Sequence, residues 1–257
     1  MKRFFLLVLF LLISINIFGA DPPPNARTEG SLSESSLPNF SLGGGGLFGY
    51  TFTRYTLEGG SVESIQNMDR INYAGFIFFD ATYAELSVLI QGGNSNYTEN
   101  MIFDSSSSMG SKGSGYETSL GFSLMGKYPF SINKKFTWFP MIGVEYQIAL
   151  TQKREPEDTN IVYDRTKGSL MEDIDKNGDP YPISAWNSFW INIGAGLDYY
   201  ITSSIFLRGE FIFGFRLPTI YENGALEVVE NQMNAQNPKL AGLTGGPALK
   251  IGIGYRF

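Results

Sequence analysis

The sequence predicts an all-β chain: an eight-stranded antiparallel up-and-down transmembrane β-barrel with short periplasmic turns and four long extracellular loops. Three observations predict it. Long segments alternate apolar with small or polar residues at every second position, as a strand with two unlike faces requires. Short and long connections follow one another in regular order, as in barrels whose turns lie short on one side of a bilayer and long on the other. Composition removes the competitors. With 17% charged residues and a mean hydropathy of −0.07 the chain is too polar for a helical membrane bundle, and with 15% aromatic residues it is too rich in rings for disorder.

Composition also limits the chemistry. The 257 residues include no His and no Cys, which excludes zinc sites of the usual ligand set, disulfides, a Cys nucleophile and a His-centred triad. The formal net charge of −6 argues against nucleic acid as a partner.

The chain opens on Met1-Lys2-Arg3, an apolar run from Phe4 to Phe18, and Gly19-Ala20 before the polar Asp21-Pro22-Pro23-Pro24. Residues 1–20 read as a signal peptide cleaved after Ala20, since the apolar run falls short of the roughly 20 residues a helical anchor needs. Residues 21–38, rich in Pro and Ser, read as a flexible periplasmic tail, and residues 39–257 as the barrel.

Each strand is then taken in turn. Phe40, Leu42, Phe48, Tyr50 and Phe52 mark one face of the first. Ile71 to Asp80 is apolar on both faces, which leaves its orientation open. After a connection at 80–82, Ala84, Leu86, Val88 and Ile90 alternate with Tyr83, Glu85, Ser87, Leu89 and Gln91. The fourth sets Tyr116, Leu120, Phe122 and Leu124 against Glu117, Ser119, Ser123 and Lys127; the fifth, past a connection at 130–135, sets Trp138, Ile142, Val144, Ile148 and Leu150 against Thr137, Glu145, Gln147 and Thr151. The sixth sets Ile191, Ile193 and Leu197 against Asn192 and Asp198. Beyond the turn at 201–204 the seventh sets Leu207, Phe211, Phe213 and Phe215 against Arg208, Glu210, Gly214 and Arg216, with Ile212 the exception on the polar face. The eighth is Pro247 to Phe257. Long connections are expected at 54–70, 92–114, 152–185 and 218–245, the second of them low in complexity and mobile, the fourth with a short helix within 225–236. Phe40, Phe79, Tyr83, Tyr128, Phe130, Phe136, Trp138, Tyr199, Phe206, Tyr255 and Phe257 gather at the short-turn end, as an interfacial girdle would.

The inward face carries charges of both signs: Glu85, Glu117, Lys127, Glu145, Asp198, Arg208, Glu210, Arg216 and Lys250, with Arg256 near the end. Eight strands leave an interior just wide enough for side chains to fill it, so these charges are expected to pair across the lumen and close it. The alternative is that Glu85, Glu117, Glu145 and Arg208 line a narrow polar conduit.

Two motifs fit only in part. Gly44-x-Gly46-x-x-Gly49 has dinucleotide-binding spacing, but a strand follows it where a helix should open, so it reads as glycine in a barrel wall. Asp173, Asp175, Asn177 and Asp179 match the start of a calcium loop, yet Ser184 stands where a bidentate Glu belongs. The segment reads either as a weak Ca2+ site or as a solvated acidic turn; no other cofactor is expected.

At the C-terminus Leu249, Ile251, Ile253, Tyr255 and Phe257 alternate with Ala248, Lys250, Gly252, Gly254 and Arg256. This strand resembles the signal read by the outer-membrane barrel assembly machinery. The layout is similar to the small outer-membrane barrels of the OmpX, OmpA and OmpW type, and Phe78 to Glu85 also resembles barrels of spirochaetes. The resemblance implies the outer membrane as location and its lipids and assembly machinery as partners. It also implies no enzymatic activity, since outer-membrane enzymes of this size rely on His. The expected role is a closed barrel whose loops meet host or environmental ligands, for adhesion, envelope integrity or host contact; the alternative is an OmpW-like passage for small apolar molecules.

Overall fold

The structure is a computed structural model and describes residues 40–59, 62–104, 107–156, 183–219 and 239–257, all within one compact unit, Leu37–Phe257. The signal peptide, the tail at 21–38, the calcium-loop residues Asp173, Asp175, Asn177 and Asp179 and the helix expected within 225–236 lie outside the described residues. The strands are β1 (Phe40–Gly59), β2 (Val62–Ala81), β3 (Ala84–Asp104), β4 (Ser107–Lys127), β5 (Phe130–Asn133), β6 (Phe136–Pro156), β7 (Ser188–Tyr200), β8 (Ile205–Arg216) and β9 (Lys239–Arg256). Every pairing is antiparallel, in the order β4-β3-β2-β1-β9-β8-β7-β6-β5, and a further pairing of β4 with β6 closes a ring of eight.

β5 is the one strand not expected, and it continues the line of β4 after a break at Tyr128-Pro129, where proline has no N–H to give the ladder. The connection expected at 130–135 therefore shrinks to a turn at Lys134-Lys135, fixed by Asn133 Oδ1, which accepts from the N–H of Lys135 at 2.8 Å and of Phe136 at 3.1 Å. At the β2–β3 turn Tyr83 N–H donates to Ala81 O at 2.6 Å, with Thr82 in the left-handed region at φ 55°.

Two of the expected long connections are paired strand instead. Arg54↔Asn67 through Gly59↔Val62 continue the β1–β2 ladder, and Asn94↔Tyr116 through Asp104↔Ser107 continue β3–β4, including the Ser- and Gly-rich stretch expected to be mobile. Strands of 20 and 21 residues run about 65–70 Å at 3.3 Å per residue, far more than a tilted strand needs for an apolar band about 25 Å tall. The excess stands above the band as hairpins. Along them the apolar alternation that marks a membrane strand is absent from the sequence although the pairing persists.

Within the band the faces divide cleanly. Leu42, Phe48, Ile77, Leu86, Ile90, Phe122, Ile142, Ile193, Phe211, Ile251 and Ile253 point outward and are exposed. On β1 from Phe40 up to Tyr50 and on β2 from Ile71 to Phe79 no outward position carries Asp, Glu, Lys or Arg, and the ion pair Arg54–Asp69, 2.7 Å apart, stands just above, with Asp69 directly opposite Phe52. A continuous apolar belt of this size has no place in water and fits the hydrocarbon of a bilayer. Its lower border is aromatic: Phe40 lies 5.6 Å from Phe79, Tyr83 6.0 Å from Tyr128, Phe130 5.0 Å from Trp138 and Phe136 4.9 Å from Tyr199. Phe206 does not belong to this girdle. It is 1% exposed and points into the lumen, as its even position beside Arg208 and Glu210 dictates. The open orientation of Ile71 to Asp80 resolves with Ile71, Tyr73, Ile77 and Phe79 outward and Asn72, Phe76, Phe78 and Asp80 inward.

Candidate functional site

The lumen is built in two levels, and the lower one begins with three large rings. Phe78, Phe139 and Phe206 are each 1% exposed. A Cβ at Gly43 would collide with Phe78, one at Gly196 with Phe139 and one at Gly254 with Phe206, so inward glycines on neighbouring strands hold open the space for each ring. Gly196→Ala is expected to destabilise the barrel by about 1–3 kcal/mol, the usual cost of overpacking, read as a shift in the urea midpoint of the refolded chain. A second apolar group, Met125, Phe139, Met141 and Ile212, packs beside the first, which explains why Ile212 is apolar on the inward face of β8.

Between the rings sits Arg208, its guanidinium 4.7 Å from the centre of Phe78, 5.0 Å from Phe206 and 5.1 Å from Phe139. Every edge of the fork is used. Nε and Nη2 bind Asp198 bidentately at 2.7 Å each, Nη1 donates to Glu85 Oε2 at 2.6 Å, and Nη2 also reaches Asp80 Oδ2 at 2.6 Å. Only a planar guanidinium can serve three carboxylates in this way. Lys127 pairs with the same Asp80 oxygen, Ser87 donates to Glu85 at 2.9 Å, and Lys250 lies 3.5 Å from Glu210 and 3.9 Å from Glu85. The result is a plug of charges and rings across the short-turn end of the barrel.

Six of the residues read from the sequence, Glu85, Lys127, Asp198, Arg208, Glu210 and Lys250, meet in this plug. Glu117, Glu145 and Arg216 do not; they stand higher, toward the hairpins. Glu117 pairs with Arg70, Arg216 donates to Thr244 at 3.3 Å, and Thr244 also joins Thr53 at 3.0 Å and Tyr55 at 3.1 Å in a collar near the rim. Sequence reading missed Asp80, taken as a turn residue, and Arg70, assigned to a connection. The polar even positions 70, 72 and 80 of β2 carried the signal for both. Arg256, read as inward, is half-buried with its guanidinium 5.3 Å from the Tyr200 ring. Leu249, Ile251, Ile253, Tyr255 and Phe257 all point outward and are exposed.

Between plug and collar lies a cavity of ≈ 60 Å³, lined by Thr51, Arg70, Asn72, Glu145, Trp190 and Lys250 among others. Its polar groups are held in place: Asn72 Nδ2 donates to Thr51 at 2.7 Å, Gln147 Nε2 to Glu145 at 2.7 Å, and the Trp190 indole N–H to Ser188 at 3.0 Å.

The chain is similar to small outer-membrane β-barrel proteins. Among solved structures it resembles the outer membrane protein OprG of Pseudomonas aeruginosa, at 10% identity over 88% of this chain and 99% of that one, with a TM-score of 0.44. It also resembles the N-terminal β-barrel domain of OprF from the same organism, at 13% identity over 86% and 98% with a TM-score of 0.35. A third is the Neisserial surface protein A, at 10% identity over 85% and 97% with a TM-score of 0.35. No family model matches the chain, and no curated protein does.

Proposed function

We propose that this protein is a closed, non-enzymatic barrel of the outer membrane, which acts through the hairpins and loops it holds above the bilayer, in adhesion, envelope integrity or host contact. The observation that carries the reading is the Arg208-centred plug. Its four carboxylates and three cations, with Phe78, Phe139 and Phe206, occupy the short-turn end of an eight-stranded interior that has little room to spare. Asp80, Glu85 and Asp198 are hydrogen-bonded to Arg208, and Glu210 lies 3.5 Å from Lys250, which supports a structural role for these carboxylates. The short-turn end, where the chain's last residue lies, faces the periplasm in this reading, and the paired extensions of β1–β2 and β3–β4 face outside. The outward run ending in Phe257 presents its apolar side chains to the assembly machinery and then to lipid.

The test is ion flux. Refolded into planar bilayers, the protein is expected to insert and show no discrete current steps, and into liposomes to leave small apolar probes outside. Steady channels, or uptake of those probes, would instead establish passive transport through the lumen.

A further inference from the structure

The short-turn end of the barrel is positive on its outside. Asp80, Glu85 and Asp198 lie at that end but are buried in the plug. The accessible charges left there, among the described residues, are Lys134 and Lys135 in the β5–β6 turn, the half-buried Arg256 and the terminal carboxylate of Phe257. The balance is opposite in sign to the net charge of −6 for the whole chain. Neither lysine forms an ion pair with an Asp or Glu among the described residues.

The turn is fixed through its backbone, which leaves both ammonium groups over. Asn133 Oδ1 accepts from the N–H groups of Lys135 and Phe136, and Lys135 O accepts from Tyr200 N–H at 2.8 Å. The Arg256 guanidinium stands 5.3 Å from the ring of the same Tyr200 and adds its charge to that side of the mouth.

The neighbours of the lysines are apolar. Ile132 on the same hairpin is 61% exposed, Ile201 at the next turn 54% and the terminal Phe257 71%. Just above, Phe130 and Trp138 point outward and stack 5.0 Å apart with 16° between their planes. Side chains of this size are costly in water and favoured at the border of a bilayer, where lysine stems lie along apolar surface and their heads reach the headgroup layer. The surface continues the apolar belt without a break, and the group of opposite charge at that depth is phosphate, which lysine binds as a point charge. A zwitterionic headgroup offsets this attraction with its own cation, whereas an anionic one does not.

We infer that the β5–β6 turn binds the phosphate of an anionic phospholipid in the leaflet on the short-turn side, through Lys134 and Lys135. The inference rests on the reading of the belt as lipid-facing.

Trp138 stands beside this site and reports on it. The full chain with Trp186→Phe is refolded into dioleoylphosphatidylcholine vesicles containing increasing fractions of brominated phosphatidylglycerol or of brominated phosphatidylcholine, and quenching gives the relative affinity of the two lipids for the surface around Trp138; Trp190 is buried in the lumen, away from lipid. Phosphatidylglycerol is expected to be favoured about fivefold at low salt, the effect of one lysine near an anionic surface, and the preference to fall toward unity at about 0.5 M sodium chloride. Lys134→Gln with Lys135→Gln is expected to abolish the preference and Lys134→Arg with Lys135→Arg to keep it. Lys239→Gln, exposed at the opposite end of β9, is expected to leave it unchanged. No preference in the parent, a preference that survives high salt or the double glutamine variant, or an equal loss in K239Q would each overturn the inference. So would an unmoved lipid ratio in the double glutamine variant together with lost cosedimentation with purified peptidoglycan, which would assign the lysines to the cell wall. The salt arm needs no lysine variant, so the test survives if the glutamine variant fails to refold. Insertion is read separately from heat-shifted gel mobility: a barrel that inserts without lipid preference overturns this inference alone, and failure to insert overturns the membrane reading with it.

Discussion

Replacing Arg208 with methionine is expected to cost the barrel about 3–5 kcal/mol, the range for removing one partner of a buried ion pair, measured as the loss in urea unfolding free energy of the refolded chain. Arg208 is 3% exposed and bonds Asp80, Glu85 and Asp198 at once. Without it, Asp80, Glu85, Asp198 and Glu210 face only Lys127 and Lys250, and methionine offers no hydrogen to any carboxylate. Water has to enter to solvate them, so the same variant is expected to pass current in planar bilayers where the parent passes none. Arg208→Lys retains the charge but cannot fork, and is expected to lose part of the stability and little of the closure. Adding Glu85→Gln to R208M should recover a part of the loss, because the uncompensated charge is what costs. A loss below about 1 kcal/mol for R208M would show that the carboxylates shed their charge without it, and the plug would then be a hydrogen-bonded cluster rather than an ionic one.

How far the sequence discloses this site depends on the period of two. Alternation assigns a face to each residue, and it placed Glu85, Lys127, Asp198, Arg208, Glu210 and Lys250 inside without any knowledge of partners. It fails where both faces are apolar. In Ile71 to Asp80 the outward side is lipid-facing and the inward side carries Phe76 and Phe78, two of the residues of the lower core cluster, so the signal vanished and Asp80 was read as part of the turn. Phe206 was legible from its parity with Arg208, and the clustering of aromatic residues at that end concealed it. Above the bilayer the alternation is lost again, which made paired strand at 54–70 and 92–114 look like loop and hid Arg70. The pairing itself was out of reach. Glu85 stands 123 residues before Arg208, and only closure of the ring by β4 and β6 brings β3 and β8 to face each other across the lumen.

A charge placed on the outer face should be nearly as costly as one lost from inside. Ile251 lies outward on β9, 60% exposed, with Gly46 on β1 and Gly209 on β8 as its cross-strand partners. Ile251→Arg is expected to lose about 2–4 kcal/mol when the barrel is unfolded by urea from lipid vesicles, the range for arginine near the midplane of a bilayer. The flanking glycines have no side chains under which a guanidinium could shelter, and the border residues lie several positions away along the strand. Ala241→Arg is the matched control, since Ala241 pairs with Thr56 above the Arg54 level and is exposed; its cost is expected to stay within about 0.5 kcal/mol, as at an ordinary surface position. In detergent micelles, which deform around a charge, the I251R penalty should shrink while A241R stays unchanged. Equal small costs for both variants in vesicles would mean that lipid does not cover the belt, and an apolar surface of that breadth would then require a protein partner around the whole circumference of the barrel.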